Sequence, residues 1–303
     1  MTSGAATLRR VAPDGADALD AILGALWADA AESGTTTLVT AAADAAGDLL
    51  GVEPLAPPDP LGAPDGVGTA RWQGDAAPVL AFAAQCTLDV ASVTPEQRAD
   101  FLAATGPLAG GLAAAFWVVD LVPRTRAALD ALFATGPWPA PRAVPGPGGL
   151  WGALDGLVRV IPALDALDPV TSELVRLRGA RQHNCRLCRS LRNRTALRAG
   201  ATESDFAAVD AYADSSLSAL ARASLAFCDA MLWTPGRISG DVVATLRAEA
   251  GPDQQVELVL DVTRNALNKV AVALGADAAH VEEGIEVYDV EPDGSLVYGL
   301  SAD

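Results

Sequence analysis

The chain is poor in several things at once: a single lysine (Lys269) beside twenty arginines, two histidines (His183 and His280), and four cysteines in 303 residues. Four cysteines are too few for a disulfide scaffold, and in a reducing compartment a close pair reads as catalytic or metal-binding. A four-ligand zinc site is not expected, because only two histidines are present and Cys86 and Cys228 fall in apolar helix patterns. Those two thiols are expected as small core residues, and His280 as a surface residue beyond the last helix. Positive charge is also short: the formal net charge is −17. Nucleic acid and anionic membranes are therefore not expected as partners. Asp, Arg or Pro breaks every apolar stretch before the roughly 18 residues that a membrane span needs. The opening MTSGAATLRRVAPDGAD lacks the charged-then-apolar plan of a signal peptide, so a cytoplasmic protein is expected.

What is abundant is Ala and Leu at helical spacing, and the fold class expected is all-α. Helices are predicted over 15–31, 36–51, 79–90, 95–105 and 108–134, then over 150–165, 168–182, 184–199, 203–213, 215–232, 239–250 and 253–275. Thr94 and Pro95 form a start signal, with Thr as cap and Pro at the first helical position. A long loop is predicted over 53–78. The segment TGPWPAPRAVPGPGG at 135–149 reads as a linker, since Pro and Gly in that density cannot continue a helix. After His280, alternating apolar residues around Pro292-Asp293-Gly294 predict a short terminal β-hairpin. An internal repeat runs at an offset of 145: Leu80-Ala81-Phe82 answers Leu225-Ala226-Phe227, Gly106-Pro107 answers Gly251-Pro252, and Arg124 falls on Lys269. Two tandem helical units are expected: residues 1–134 as a degenerate copy without the cysteine pair, and residues 150–303 as the copy that carries it.

Eight of the twenty arginines lie between Arg176 and Arg198, and no Asp or Glu occurs from Leu174 to Thr202. Within this basic island sits Cys185-Arg186-Leu187-Cys188. The spacing puts both sulfurs within one helical turn. With Asn184 as the cap, both cysteines would lie in the first turn, where the helix dipole favours negative charge. Arg186, Arg189 and Arg192 would add positive potential, and each influence lowers a thiol pKa. Such a pair can close a disulfide once one sulfur is oxidised. His183 either carries a proton for this site or caps a helix. Glu173, twelve residues before Cys185, either acts as a general base with a raised pKa or pairs with Arg176. Glu257, Asp261, Arg264 or Asn265, and Asn268 form a polar stripe at helical spacing. This stripe would line the pocket of a neighbouring copy of the fold or fix the packing of the two halves.

Glu173-Leu174, the step to Cys185, the Cys-x-x-Cys, Leu197-Arg198-Ala199-Gly200 and the helix QQVELVLDVTRNALNKVAVALG resemble the alkylhydroperoxidase D and carboxymuconolactone decarboxylase superfamily. The likeness spans 153–275. It implies an all-helical fold in which Cys188 attacks a peroxide, Cys185 resolves the product and Glu173 is the base. Arg192 stands where the peroxidases place a histidine, and arginine cannot shuttle a proton near neutral pH. The resemblance thus implies a dithiol oxidoreductase, peroxidase-like, working without cofactor or metal on a small peroxide and recycled by a dithiol reductant protein. It further implies a homo-oligomer, dimer or trimer. A non-redox member of the superfamily would instead hold an organic acid, with Arg192, Arg189 and Arg181 as anion clamps and Asn265 in the pocket. A helical assembly module without catalysis is the third reading.

Overall fold

The structure, a computed structural model, describes residues 2–58 and 72–302. Helices dominate it. In the first half these are α1 (Gly4–Val11), α2 (Pro13–Glu32), α3 (Thr36–Leu50), α4 (Ala76–Asp89), α5 (Pro95–Thr105) and α6 (Ala109–Leu132). In the second half α7 (Gly149–Val160) and α8 (Pro169–Gln182) lead into a short broken stretch of α9 (Arg186–Ser190), β1 (Leu191–Asn193) and α10 (Arg194–Arg198). There follow α11 (Glu203–Ala208), α12 (Ala219–Trp233), α13 (Gly240–Glu249), α14 (Pro252–Asn265), α15 (Asn268–Leu274) and a hairpin of β2 (Glu286–Val290) and β3 (Leu296–Leu300). The all-helical class and the terminal hairpin are as expected. Residues 59–71 of the loop predicted over 53–78 lie outside the described residues.

Local chemistry explains most boundaries. At α5 the Thr94 side chain accepts the Gln97 N–H at 3.1 Å, and Gln97 returns the bond to the Thr94 N–H at 3.0 Å. Two of the donors left over at a helix start are thereby satisfied reciprocally. The longest helix, α6, runs through Pro123 and buries almost every residue from Leu112 to Thr125. Against the expectation that no window would qualify, the stretch 95–132 is apolar enough by length and composition to cross a membrane. Within it, 56% of the most apolar window is buried by the rest of the protein.

Three predicted elements need correction. The N-terminal segment forms α1, capped by the Ser3 side chain, where no helix was predicted. The helix predicted over 184–199 is interrupted, because residues 191–193 pair in parallel with β2, Leu191 opposite Glu286 and Asn193 opposite Tyr288. Buried side chains replace the helical hydrogen bonds there: Arg176 donates to the carbonyls of Cys188 (2.8 Å) and Leu191 (2.9 Å), and Glu173 accepts the Asn193 N–H (3.0 Å). The helix predicted over 253–275 breaks at Ala266–Leu267. Around that point Leu267, Lys269 and Val270 donate to the carbonyl three residues back instead of four, so the turn tightens.

One core runs through both halves of the chain. Although α7 follows the 135–149 linker, it packs Leu150, Leu154 and Leu157 against α2 of the first half. The helix order also follows the 145-residue offset. A 3-10 turn at Val90–Ser92 recurs at Pro235–Arg237, and α5 and α13 begin at Pro95 and Gly240. At the centre α6 packs on α14, where the hydroxyls of Thr125 and Thr263 meet at 2.7 Å. Asp120 receives Arg124 at 2.7 Å and, from the other half, Lys269. Each half also closes the other's final helix: Arg98 on α5 donates to the Ala273 carbonyl (2.7 Å), and Arg247 on α13 to the Leu132 carbonyl (2.6 Å).

Gly236 packs tightly against the other half. A Cβ there would stand 2.1 Å from the Gly51 carbonyl oxygen. Gly236→Ala is expected to destabilise the protein by about 1–3 kcal/mol through overpacking. Gly156→Ala, in α7 with nothing within 4 Å of the added carbon, is expected to stabilise it by about 0.5–1 kcal/mol through helix propensity. Denaturant melts of the two variants should therefore move in opposite directions from the parent.

Candidate active site

Cys185 sits in the turn between α8 and α9, and Cys188 lies in α9. His183 ends α8, and Asn184 turns the chain with a positive φ of 53°, a conformation that asparagine tolerates better than most residues. The cap of α9 is Cys185 itself, not Asn184: its Sγ accepts the Cys188 N–H at 3.2 Å. The other N–H groups at this helix start do not reach a sulfur. Those of Arg186 and Leu187 go to Asp277, through its carboxylate and its backbone carbonyl, each at 2.9 Å.

The two sulfurs stand 2.6 Å apart, with Cys185 donating to Cys188. Their environments are unequal. Cys185 is buried, and its pKa is raised by the hydrogen bond it gives Cys188 and by desolvation. Cys188 is half-buried, and its pKa falls to about 7: the Cys185 hydrogen bond outweighs the opposing effect of burial, helped by the Arg176 guanidinium and the Asn268 amide. The expectation that the surroundings would lower both thiols is thus corrected. One sulfur is poised as a thiolate and the other as its proton-bearing neighbour.

Two of the predicted site residues, Glu173 and His183, lie around the pair. Glu173 is buried and bound to Arg176 through two contacts of 2.6 and 2.7 Å, with the Asn193 N–H and the Tyr288 hydroxyl (3.3 Å) as further donors. With four donors on its two oxygens it holds structure around the thiols, and no hydrogen bond joins it to either sulfur among the described residues. Arg176 stacks over the Tyr288 ring at 5.3 Å. His183 is buried, and desolvation together with the Lys269 charge pushes its pKa down to about 3, so it is neutral and no proton carrier. Its Nδ1 lies 2.8 Å from Asn268 Oδ1, and Asn268 turns its Nδ2 to Cys188 Sγ at 3.6 Å. With the amide donating to sulfur, the imidazole is the Nδ1–H tautomer.

The arginines singled out from the sequence are engaged elsewhere. Arg192 is buried, holds Glu203 at 2.9 and 3.1 Å, donates to two backbone carbonyls and stacks on Phe206. Arg189 binds Asn184 (2.7 Å), Arg186 binds Asp277 (2.7 Å), and Arg181 binds Asp210 and the Phe206 carbonyl. Asn265 lines a separate cleft of about 340 Å3 that also touches Glu173, Arg176 and Asp261. Desolvation raises Glu257 to about 7 and Asp261 to about 6 in that cleft. Among the described residues no group of three or more His, Cys, Asp or Glu stands ready to hold a metal. Cys228 is buried and Cys86 partly so; desolvation raises both thiols, that of Cys86 to about 12. His280, at the surface, meets Glu286 at 2.9 Å.

Sequence reasoning missed Asn268 as a partner of sulfur, Arg176 as the cation nearest the thiolate in effect, and Asp277 and Tyr288 altogether. Asn268 was visible only as one member of the polar stripe, next to the lone lysine. The alkylation rate of Cys188 is expected to reach half its plateau near pH 7, below the usual thiol midpoint of about 8.5. In Asn268→Leu the midpoint should rise, and the rate at pH 7 should fall about fivefold, the change in thiolate fraction for a shift of roughly one unit. Iodoacetamide kinetics resolved by peptide mass spectrometry measure both.

No family model matches the chain, and no solved structure matches it. It is similar to two proteins described as uncharacterized, from two strains of Mycobacterium tuberculosis. Each is 42% identical over 232 residues, which cover 73% of this chain and 80% of the relative. At that identity and coverage, the chain belongs to the same family as these mycobacterial proteins.

Proposed function

We propose that the protein is a dithiol oxidoreductase of the alkylhydroperoxidase D type, reducing a hydroperoxide through Cys188 with Cys185 resolving. The observation that carries this reading is the asymmetric pair of sulfurs 2.6 Å apart, one favoured as thiolate and one as thiol. In the first step the Cys188 thiolate attacks the outer oxygen of the hydroperoxide. The O–O bond breaks, the alkoxide takes a proton from water and leaves as an alcohol, and Cys188 becomes a sulfenic acid. Cys185 then attacks that sulfur, its thiol proton and the sulfenic hydroxyl leave as water, and a disulfide closes. A dithiol reductant protein returns both thiols.

Asn268 acts here as the donor that holds the thiolate, and neutral His183 as the group that holds Asn268. Glu173 keeps Arg176 in place, a positioning role distinct from the general base implied by the family resemblance. A duplicated helical ancestry, a cytoplasmic location and a homo-oligomeric state belong to the same proposal. An organic acid clamped beside the cysteines has less support, because Arg181, Arg189 and Arg192 already hold protein acceptors.

Peroxide consumption in the presence of dithiothreitol is expected for the parent protein and absent in Cys188→Ser. Cys185→Ser should complete one turnover and accumulate a sulfenic acid that dimedone traps. Equal rates in the parent and Cys188→Ser would sink the reading.

A further inference from the structure

Among the described residues, every buried or half-buried arginine but one donates to a carboxylate or a backbone carbonyl. Arg98 does so at Ala273, Arg178 at Asp229, Arg194 at Asp289, Arg222 at Leu217 and Arg264 at Val158. The exception is Arg126 on α6. Its guanidinium lies over the Trp138 ring, 5.3 Å from the centroid, and forms no hydrogen bond or ion pair with the described residues. Desolvation lowers its pKa, against the pull of Asp20, Glu53 and Asp130. None of these carboxylates pairs with it among the described residues, and Asp130 Oδ1 is itself buried without a hydrogen bond. Asp20 meets Arg9 at 2.6 Å, Asp130 accepts the Trp138 indole N–H at 3.0 Å, and Glu53 is exposed. The donors of Arg126 are left open to an acceptor that the described residues do not supply.

Arg126 stands where two clefts meet, one of about 720 Å3 and one of about 220 Å3, with Pro137, Trp138 and Pro139 between them. The larger cleft lies where the halves join. Its apolar walls include Leu55, Pro123 and Ala127 from the first half and Ile238 from the second. Arg237, exposed on its rim, likewise holds no side-chain partner among the described residues. A planar guanidinium fixed on an aromatic face suits a planar, bidentate anion. Three carboxylates act on Arg126 from a distance, which favours a singly charged anion over a phosphate dianion. Proline and aliphatic walls favour an apolar body behind the charge.

We propose that this cleft is a binding site for a small organic monocarboxylate with an apolar body, its carboxylate on Arg126 and its body beside Trp138. No residue of the cysteine-bearing segment lines the site, and it does not rest on the redox reading. It places an anion site away from the arginine-rich segment.

Isothermal titration of the full chain with benzoate tests it, with benzyl alcohol and inorganic phosphate as comparisons. Benzoate is expected to bind at least about tenfold more tightly than either, and Arg126→Met to lose about tenfold or more. Should Arg126→Met fail to fold, phenylglyoxal modification of the parent protein, read by peptide mass spectrometry, replaces it. Benzoate should then slow modification of Arg126 while leaving that of exposed Arg142 unchanged. Absence of benzoate binding, equal binding by Arg126→Met, tighter binding of phosphate, or no protection of Arg126 would each overturn the assignment.

Discussion

Glu173 and Arg176, one turn apart on α8 and both buried, hold the backbone on which the two sulfurs sit. Arg176 takes the carbonyls of Cys188 and Leu191, and Glu173 takes the Asn193 N–H. A run that would otherwise continue as helix is thereby made to turn into a strand. An isolated ion pair in such a place would be expensive, since desolvating two charges outweighs their attraction unless the remaining donors and acceptors are filled. Here they are filled, by backbone groups and by Tyr288 from the terminal hairpin. The same guanidinium that shapes the turn is the cation that favours a thiolate at Cys188. Geometry and electrostatics of the pair thus share one cause.

Behind this shell lies a second buried cluster, Asp120 with Arg124 and Lys269, in which one carboxylate serves two cations from different halves. Arg124 adds hydrogen bonds to the carbonyls of Thr87 and Leu232, so it ties α4 and α12 to the centre. The excess positive charge is felt at His183, where Lys269 reinforces the effect of burial in keeping the ring neutral. A neutral imidazole can hold the Asn268 amide in a fixed sense, and the amide in turn faces the sulfur. The half without the cysteine pair therefore acts on the site through a charge network.

The sequence was most legible where chemistry is local. Thr94-Pro95 marked the start of α5, the Pro-Asp-Gly turn marked the hairpin, and Cys-x-x-Cys marked the sulfurs. Legibility failed where distant partners override local preference. The stretch Cys185–Arg198 has helical composition, but its carbonyls are claimed by Arg176 and its edge by β2, a strand almost a hundred residues away. The arginine island suggested a field aimed at the thiols. Asp210, Asp229, Asp277, Glu203 and Asp289, all outside the acid-free window, absorb most of it. Which arginine keeps its charge for the sulfur depends on burial and pairing, and neither is visible in spacing. Asn268 was hidden for the same reason: only the break between α14 and α15 brings it to His183.

The reciprocal closure of helix ends has a consequence for how this chain is held together. Because the last turn of α6 is finished by Arg247 and the last turn of α15 by Arg98, each half lacks, in isolation, a donor that its own terminal helix requires. The covalent tether at 135–149 is then not what keeps the halves associated. A protease nick in that exposed Pro/Gly stretch would leave an interlocked, two-fragment particle, and the fragments would depend on each other for their native shape.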